Sequence, residues 1–291
     1  MTPKAFVHRV LVEAIRRSPH FLYPLYSKYQ SSLLRPYKLE KGIVCLSFDN
    51  DYREDNEAVE TLLPLFREYG IPVTWAVVGR WVEQYLDLHK RMLADGHELM
   101  NHSWSHPDNP QLRPNDPRKF DAISKEEVED EITKIHEFCL SRLNYRMCGF
   151  RMPHFRRHPA IAPTLRKLGY EYTSNHLSLG APTFGAPYMT VEGWAELPLT
   201  GLPREPLRVF ETYRLFRAPD GLYPQENVFY QDFCEILRYT EKHKLITCMY
   251  FDACDIVRLT SPTFSAFLER LKGSNVEVRT FGSAAQLIRV K

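Results

Sequence analysis

The chain has 291 residues, with 38 Lys and Arg against 36 Asp and Glu, for a net charge of +2. That balance argues against a nucleic-acid partner, and no basic run with interleaved aromatics offers such a surface. A hydrophobic fraction of 44% and a charged fraction of 25% belong to a soluble globular protein that can bury a large core.

At the start, Phe6, Val10, Leu11, Ala14 and Ile15 share one helical face, and Arg9, Glu13, Arg16 and Arg17 share the other. This predicts an amphipathic helix that stops near Ser18-Pro19. His8, Arg9 and Glu13 interrupt the apolar run, so it does not read as a signal peptide. Residues 20–38 add Phe21, Leu22, Tyr23, Leu25, Tyr26 and Tyr29 among Lys28 and Arg35. One reading is an arm packed on the main domain. The other is a peripheral membrane contact through residues 5–34, since basic and aromatic amphipathic segments favour headgroups. We divide the chain into a helical and aromatic arm, 1–40, and a main domain, 41–291. No stretch is apolar for long enough to span a membrane.

From Lys41, strand-like and helix-like segments alternate. Strands are predicted at Ile43 to Phe48, Ile71 to Val78, Gly96 to Asn101, Cys148 to Phe150, Glu171 to Ser174, Leu245 to Phe251 and Val276 to Thr280. Helices are predicted at Asn56 to Tyr69, Trp81 to Ala94, Ala160 to Leu168, Val228 to His243 and Pro262 to Leu271. Gly70 is a suitable stop for the first of these. Ser124 and Glu127 form a capping box before a helix carrying Val128, Ile132 and Ile135. Residues 175–227 read as irregular apart from Trp194 to Leu199. Repeated βα units indicate a parallel sheet, open or closed into a barrel. The six cysteines lack C-x-x-C spacing, and Cys45 and Cys248 sit in apolar strands. Reduced thiols and a cytoplasmic setting, membrane-associated if residues 5–34 contact headgroups, are the expectation.

Chemistry gathers where strands end. Ile43 to Phe48 runs into Asp49, Asn50 and Asp51. An extended chain sends both acids to one side, where one can bind a cation and the other handle protons. The plain alternative is a polar turn with an Asp as helix cap. After the third strand come His102 and His106, four apart on a helical turn or sharp loop. Two imidazoles and a carboxylate with open positions suit a catalytic cation of the zinc type. Arg151 follows the short strand at Phe150. Beside a carboxylate, a guanidinium fixes its orientation and keeps it ionised.

The order Ser47-Phe48-Asp49-x-Asp51, His102-Ser103-x-x-x-His106 and Arg151-x-Pro153 resembles the NodB-homology polysaccharide deacetylases, carbohydrate esterase family 4. The Ser-Phe-Asp-x-Asp form is similar to a subgroup with some peptidoglycan deacetylases and allantoinase-like amidohydrolases. Gly70 to Thr74, Asp95 to Leu99, Leu168 to Tyr172 and Glu196 to Pro198 also have family counterparts, so the resemblance spans roughly residues 43–288. It implies an α/β fold, a distorted (β/α)7-8 barrel with a parallel central sheet. It implies Asp51, His102 and His106 as ligands of Zn2+ or another divalent transition metal. It implies Asp49 as general base and Arg151 as the residue that orients it.

One position departs from the family. Where a late strand usually ends in a histidine that protonates the leaving amine, this chain has Asp252. Asp252 and His154 are the candidate replacements. Pro153, Trp194 and Tyr172 are taken as substrate-binding. With them, Tyr213, Phe216 and Tyr223 suit sugar stacking, though core packing competes as an explanation. The expected function is metal-dependent removal of an N-acyl group, acetyl or formyl, from an amino sugar or lipid-linked sugar. Its expected place is surface-polysaccharide or glycolipid biosynthesis. The alternatives are an impaired carbohydrate-binding relative and an allantoinase-like amidohydrolase of small molecules.

Overall fold

Nine consecutive buried residues, Gly42–Asn50, form the strand β1 on which the sheet is built. A strand covered on both faces reads as a nearly continuous apolar run, and this one does. Alternation splits it into two faces. Val44, Leu46 and Phe48 belong to the larger apolar core, and Ile43 and Cys45 to a smaller one that includes Met100 and Cys248. Ser47 and Asp49 continue the Cys45 side.

A computed structural model describes residue 10, residues 19–217, residue 223, residues 225–259 and residues 261–289. The helix predicted over the first residues lies outside these, apart from Val10. The further strands are β2 (Thr74–Val77), β3 (Glu98–Asn101), β4 (Gly149–Phe150), β5 (Tyr172–Thr173), β6 (Tyr188–Met189), β7 (Ala195–Glu196), β8 (Ile246–Asp252) and β9 (Val276–Val278). Their order is β6-β7-β5-β4-β3-β2-β1-β8, and β9 also pairs with β1. All pairs are parallel except β6 with β7. Isolated parallel bridges from Leu177 to Leu199 and from Leu199 to Cys248 lead back to β8. The sheet thus curls into the distorted barrel that the family resemblance implied.

The helices are α1 (Pro19–Leu34), α2 (Arg53–Tyr69), α3 (Gly79–Gln84), α4 (Leu86–Ala94), α5 (Lys125–Leu143), α6 (Ile161–Leu168), α7 (Tyr213–Phe216), α8 (Glu226–His243), α9 (Ala253–Ile256), α10 (Ser261–Lys272) and α11 (Phe281–Arg289). Helix α2 is capped early. Asp55 accepts from the amides of Asp51 and Tyr52 at 3.1 and 2.9 Å. Gly70 ends it at φ 66°, a left-handed turn that suits glycine. At α5, Ser124 and Glu127 exchange the two capping hydrogen bonds.

Some elements differ from the sequence reading. The helix predicted over Trp81 to Ala94 is two helices, α3 and α4, meeting at Tyr85 in a non-helical conformation. Helix α1 starts at Pro19, since proline is tolerated in a first turn. Helix α11 was not anticipated. It buries Phe281, Ala284, Ala285 and Ile288 at helical spacing. The arm packs on the barrel. Tyr23 meets Tyr26 and Tyr239 of α8 edge-on, with ring centroids 4.6 and 4.7 Å apart. Leu25 and Tyr29 stay exposed, at 57% and 44%. No helix among the described residues is long and apolar enough to cross a membrane.

Candidate metal centre and active site

Parallel pairing brings the C-terminal ends of β1, β3, β4 and β8 to one end of the barrel, where such folds carry chemistry. Asp49 and Asp252 are register partners across β1 and β8. His102 follows Asn101, the last residue of β3, and Arg151 follows Phe150, the last of β4. Asp49, Asp51, His102, His154 and Asp252 line one cavity of about 100 Å³, with Tyr52, Met152, Phe155, Tyr213, Arg217 and Tyr250.

Arg151 is fully buried and reaches inward beneath Asp49. Its Nη1 donates to Asp49 Oδ1 in a short charged hydrogen bond. Its Nη2 donates to Ser47 Oγ at 2.9 Å and Ser174 Oγ at 3.2 Å. The guanidinium lies 5.5 Å from the Tyr250 ring and 5.4 Å from the Phe281 ring. Burial pushes the Asp49 carboxyl up, and the charges of Arg151 and His102 only partly offset this. A base lifted toward neutrality is better matched to taking a proton at ordinary pH.

Asp51 faces both histidines. Its Oδ1 is 3.3 Å from His102 Nε2, and its Oδ2 is 3.6 Å from His106 Nε2. The expected helical turn or sharp loop is a loop. Ser103 and His106 take φ of 72° and 48°, in the left-handed region. Side chains hold it there. Ser103 N donates to Asn101 Oδ1 at 2.8 Å, His106 N to Ser103 Oγ at 3.0 Å, and Ser105 N to buried Glu131 at 2.7 Å. The Asp51 carbonyl accepts from Trp81 Nε1 at 2.8 Å and Asn109 Nδ2 at 2.5 Å. His102 Nδ1 lies 2.8 Å from the Arg151 carbonyl, which turns Nε2 toward Asp51.

The donor set suits a cation. Ligand atoms of Asp51, His102 and His106 lie within 4.8 Å of one another. Asp51 Oδ1 and both ring nitrogens of His106 are buried without a hydrogen-bond partner. Such orphaned polar atoms are costly unless something charged engages them. Burial weighs most on Asp51, yet His106 and His102 draw its carboxyl well below the ordinary range. Burial lowers His106 to about 4, leaving a neutral imidazole fit to ligate. Burial would also lower His102, but Asp51 and Asp49 together raise it. These attractions mark a point that favours positive charge.

Asp252 reaches the cavity beside Asp49, with Arg217 Nη2 at 3.8 Å. Burial, then Asp55, raise it well above the usual carboxylate range against the pull of Arg217. Arg217 also lies 3.8 Å from Asp55 and 3.0 Å from Asp255. One guanidinium therefore serves three buried acids. Sequence reading missed Arg217, which carries no local signal because its partners come from α2, β8 and α9. Tyr250 was also missed, yet it sits two residues before Asp252 on one strand and shares its face. His154 is on the cavity wall, half-exposed, with Nε2 2.7 Å from Asp108 Oδ1.

The three residues taken as substrate-binding do not line this cavity. Tyr172 is fully buried and donates to Glu98 Oε1 at 2.9 Å. Its register partner is Gly149, the first residue of β4, where a Cβ would come within 1.9 Å of the Tyr172 ring. It therefore points toward the strand starts, away from the chemistry. Trp194 is in the apolar core just before β7, and Pro153 is buried at the start of a short 3-10 turn that follows Met152. Of the other loop aromatics, Tyr223 is buried and Phe216 lies under the Arg258 guanidinium. Tyr213 does line the cavity, with Tyr52, Phe155 and Tyr250.

Residues 37–173 match the family model described as polysaccharide deacetylase. This segment is a polysaccharide deacetylase domain. The peptidoglycan-N-acetylmuramic acid deacetylase PdaA of Bacillus subtilis is 26% identical over 168 residues, which are 54% of this chain and 57% of that protein. A chitooligosaccharide deacetylase of Bradyrhizobium is 30% identical over 98 residues, or 34% and 37% of the two chains. The chain spans less than two thirds of the curated relatives that match it. In three dimensions it resembles Puue allantoinase, with a TM-score of 0.67, 13% identity, and 84% and 89% of the two chains covered. That likeness concerns the fold. The deacetylase segment supplies Asp49, Asp51, His102, His106 and Arg151, while Arg217, Tyr250 and Asp252 join the cavity from beyond it.

Proposed function

We propose that this protein is a metal-dependent hydrolase that removes an N-acetyl or N-formyl group from an amino sugar. The observation that carries this reading is the Asp49–Arg151 pair set beside Asp51, His102 and His106 at one end of the barrel. Two imidazoles and one carboxylate suit Zn2+ with open positions. When bound, that cation would polarise the acyl carbonyl and acidify water beside it. Asp49 takes the proton from the attacking water, and Arg151 holds Asp49 in place. The amine leaves only when protonated. Asp252 and His154, both on the cavity wall, are the proposed donors of that proton. Tyr52, Phe155, Tyr213 and Tyr250 offer aromatic faces to a sugar ring.

The test is release of acetate or formate from N-acylated hexosamine oligomers and lipid-linked sugars by the zinc-loaded protein. Asp252→Asn and His154→Ala, assayed side by side, identify the donor by which one slows turnover. No release from any such substrate defeats the proposal. Elemental analysis checks the metal ligands separately. His102→Ala and His106→Ala are expected to lose the tightly held metal, and full retention in both refutes the assignment.

The product class fits assembly of a surface polysaccharide or glycolipid, with residues 5–34 of the arm as a peripheral membrane contact. Exposed Leu25 and Tyr29 support that contact. Because Tyr23, Tyr26 and Leu34 are buried, deleting the arm would uncover core, so substitution is the cleaner probe. Leu25→Glu with Tyr29→Glu is expected to weaken sedimentation with anionic vesicles. If the unaltered protein ignores such vesicles, the arm is a packing element alone.

A further inference from the structure

Beyond the first cation site lies a second set of donors. We propose that His106, Asp108 and His154 form an outer cation site that shares His106 with the inner one. Ligand atoms of these three lie within 4.8 Å of one another. His154 Nε2 is already 2.7 Å from Asp108 Oδ1, and the His106 and His154 rings stand 4.7 Å apart at 78°.

The hydrogen bond between Asp108 and His154 could account for that pair without an ion. His106 is the member it does not explain. His106 is 1% exposed, and neither ring nitrogen has a hydrogen-bond partner. Its Nε2 is 3.6 Å from Asp51 Oδ2, which leaves Nδ1 as a second unsatisfied donor position on the ring. An imidazole can hold two cations, one at each nitrogen, when its ring proton is released to solvent. Two imidazoles and a carboxylate again favour zinc, cobalt or nickel over calcium or magnesium.

The outer site is the weaker of the two. The His154 side chain is 39% exposed, and Lys119 Nζ stands 3.8 Å from Asp108 Oδ2, opposing positive charge there. A cation bound at this position engages His154 and so alters the cavity wall. Excess metal is therefore expected to modulate the protein in a way that the first equivalent does not. The proposal depends on the reading of the inner site only through His106.

The test is equilibrium dialysis of metal-stripped, full-length protein against Zn2+, with elemental analysis of bound metal. The unaltered protein is expected to take up a tight equivalent and then a weaker second one. Asp108→Asn and His154→Ala should each keep the tight equivalent and lose the second. Asp51→Asn should lose the tight one and keep the weaker. Saturation of the unaltered protein at one equivalent that survives His154→Ala overturns the outer site and leaves the inner one standing. A second equivalent that persists in both Asp108→Asn and His154→Ala also overturns it. A lone equivalent that survives Asp51→Asn and vanishes in His154→Ala supports the outer site and refutes the inner assignment.

Discussion

Asp49→Asn is expected to keep its metal and to lose turnover by roughly 10²- to 10⁴-fold, the usual worth of a positioned general base. Asparagine preserves the shape of the side chain and leaves an oxygen to accept from Arg151, so the site keeps its outline. It cannot take a proton near neutral pH. The metal ligands keep their own contacts, since Asp51 faces both histidines directly and Asp49 comes no nearer than 4.0 Å to His102 Nε2, through the oxygen that Arg151 does not hold. The measurement pairs a rate on an N-acyl amino sugar with a metal analysis of the same sample. Unchanged turnover makes Asp49 structural. Joint loss of metal and turnover makes it a ligand.

Arg151→Met is expected to cost stability as well as rate. The guanidinium is fully buried, and its removal leaves the Asp49 carboxylate inside the barrel without its cation. Breaking a buried pair in this way typically costs about 3–5 kcal/mol, because one charge stays desolvated. A melting temperature lowered by roughly 10 °C is the corresponding readout. The double variant, Asp49→Asn with Arg151→Met, removes both charges and is expected to cost less than the sum of the singles. Additive costs would mean that the pair does not act as a unit. Ser47 and Ser174, which also accept from Arg151, set the residual penalty common to both backgrounds.

Much of this site was legible in the sequence because each key residue ends a strand. Asp49, His102, Arg151 and Asp252 all follow apolar runs, and parallel strands deliver such positions to one end of a barrel. Alternation along an extended chain also puts Asp49 and Asp51 on one side. The failures have a common cause. Tyr172 and Trp194 are aromatic residues near strand starts, and aromatic type alone does not say which end of the barrel a side chain meets. Tyr172 was placed by Glu98 and by the space that Gly149 leaves open, both remote in sequence. Arg217 was missed because its environment comes from three separate elements. Helix α11 was missed although Phe281, Ala284, Ala285 and Ile288 repeat at helical spacing, since the segment is short and follows the last strand directly.

The pairing of β1 with β8 carries a consequence for how the chain is made. β1 matches β8 over the whole run from Ile43 to Asp49, and that partner is about two hundred residues downstream. During synthesis β1 therefore emerges long before the strand that covers its edge. Until then it offers a long, apolar row of unpaired amides and carbonyls, the kind of edge that joins other chains. A fragment ending near residue 173 would keep that exposure permanently, despite holding every proposed metal ligand. Such fragments are expected to aggregate, whereas chains that include β8 refold, slowly, as contacts between distant segments require.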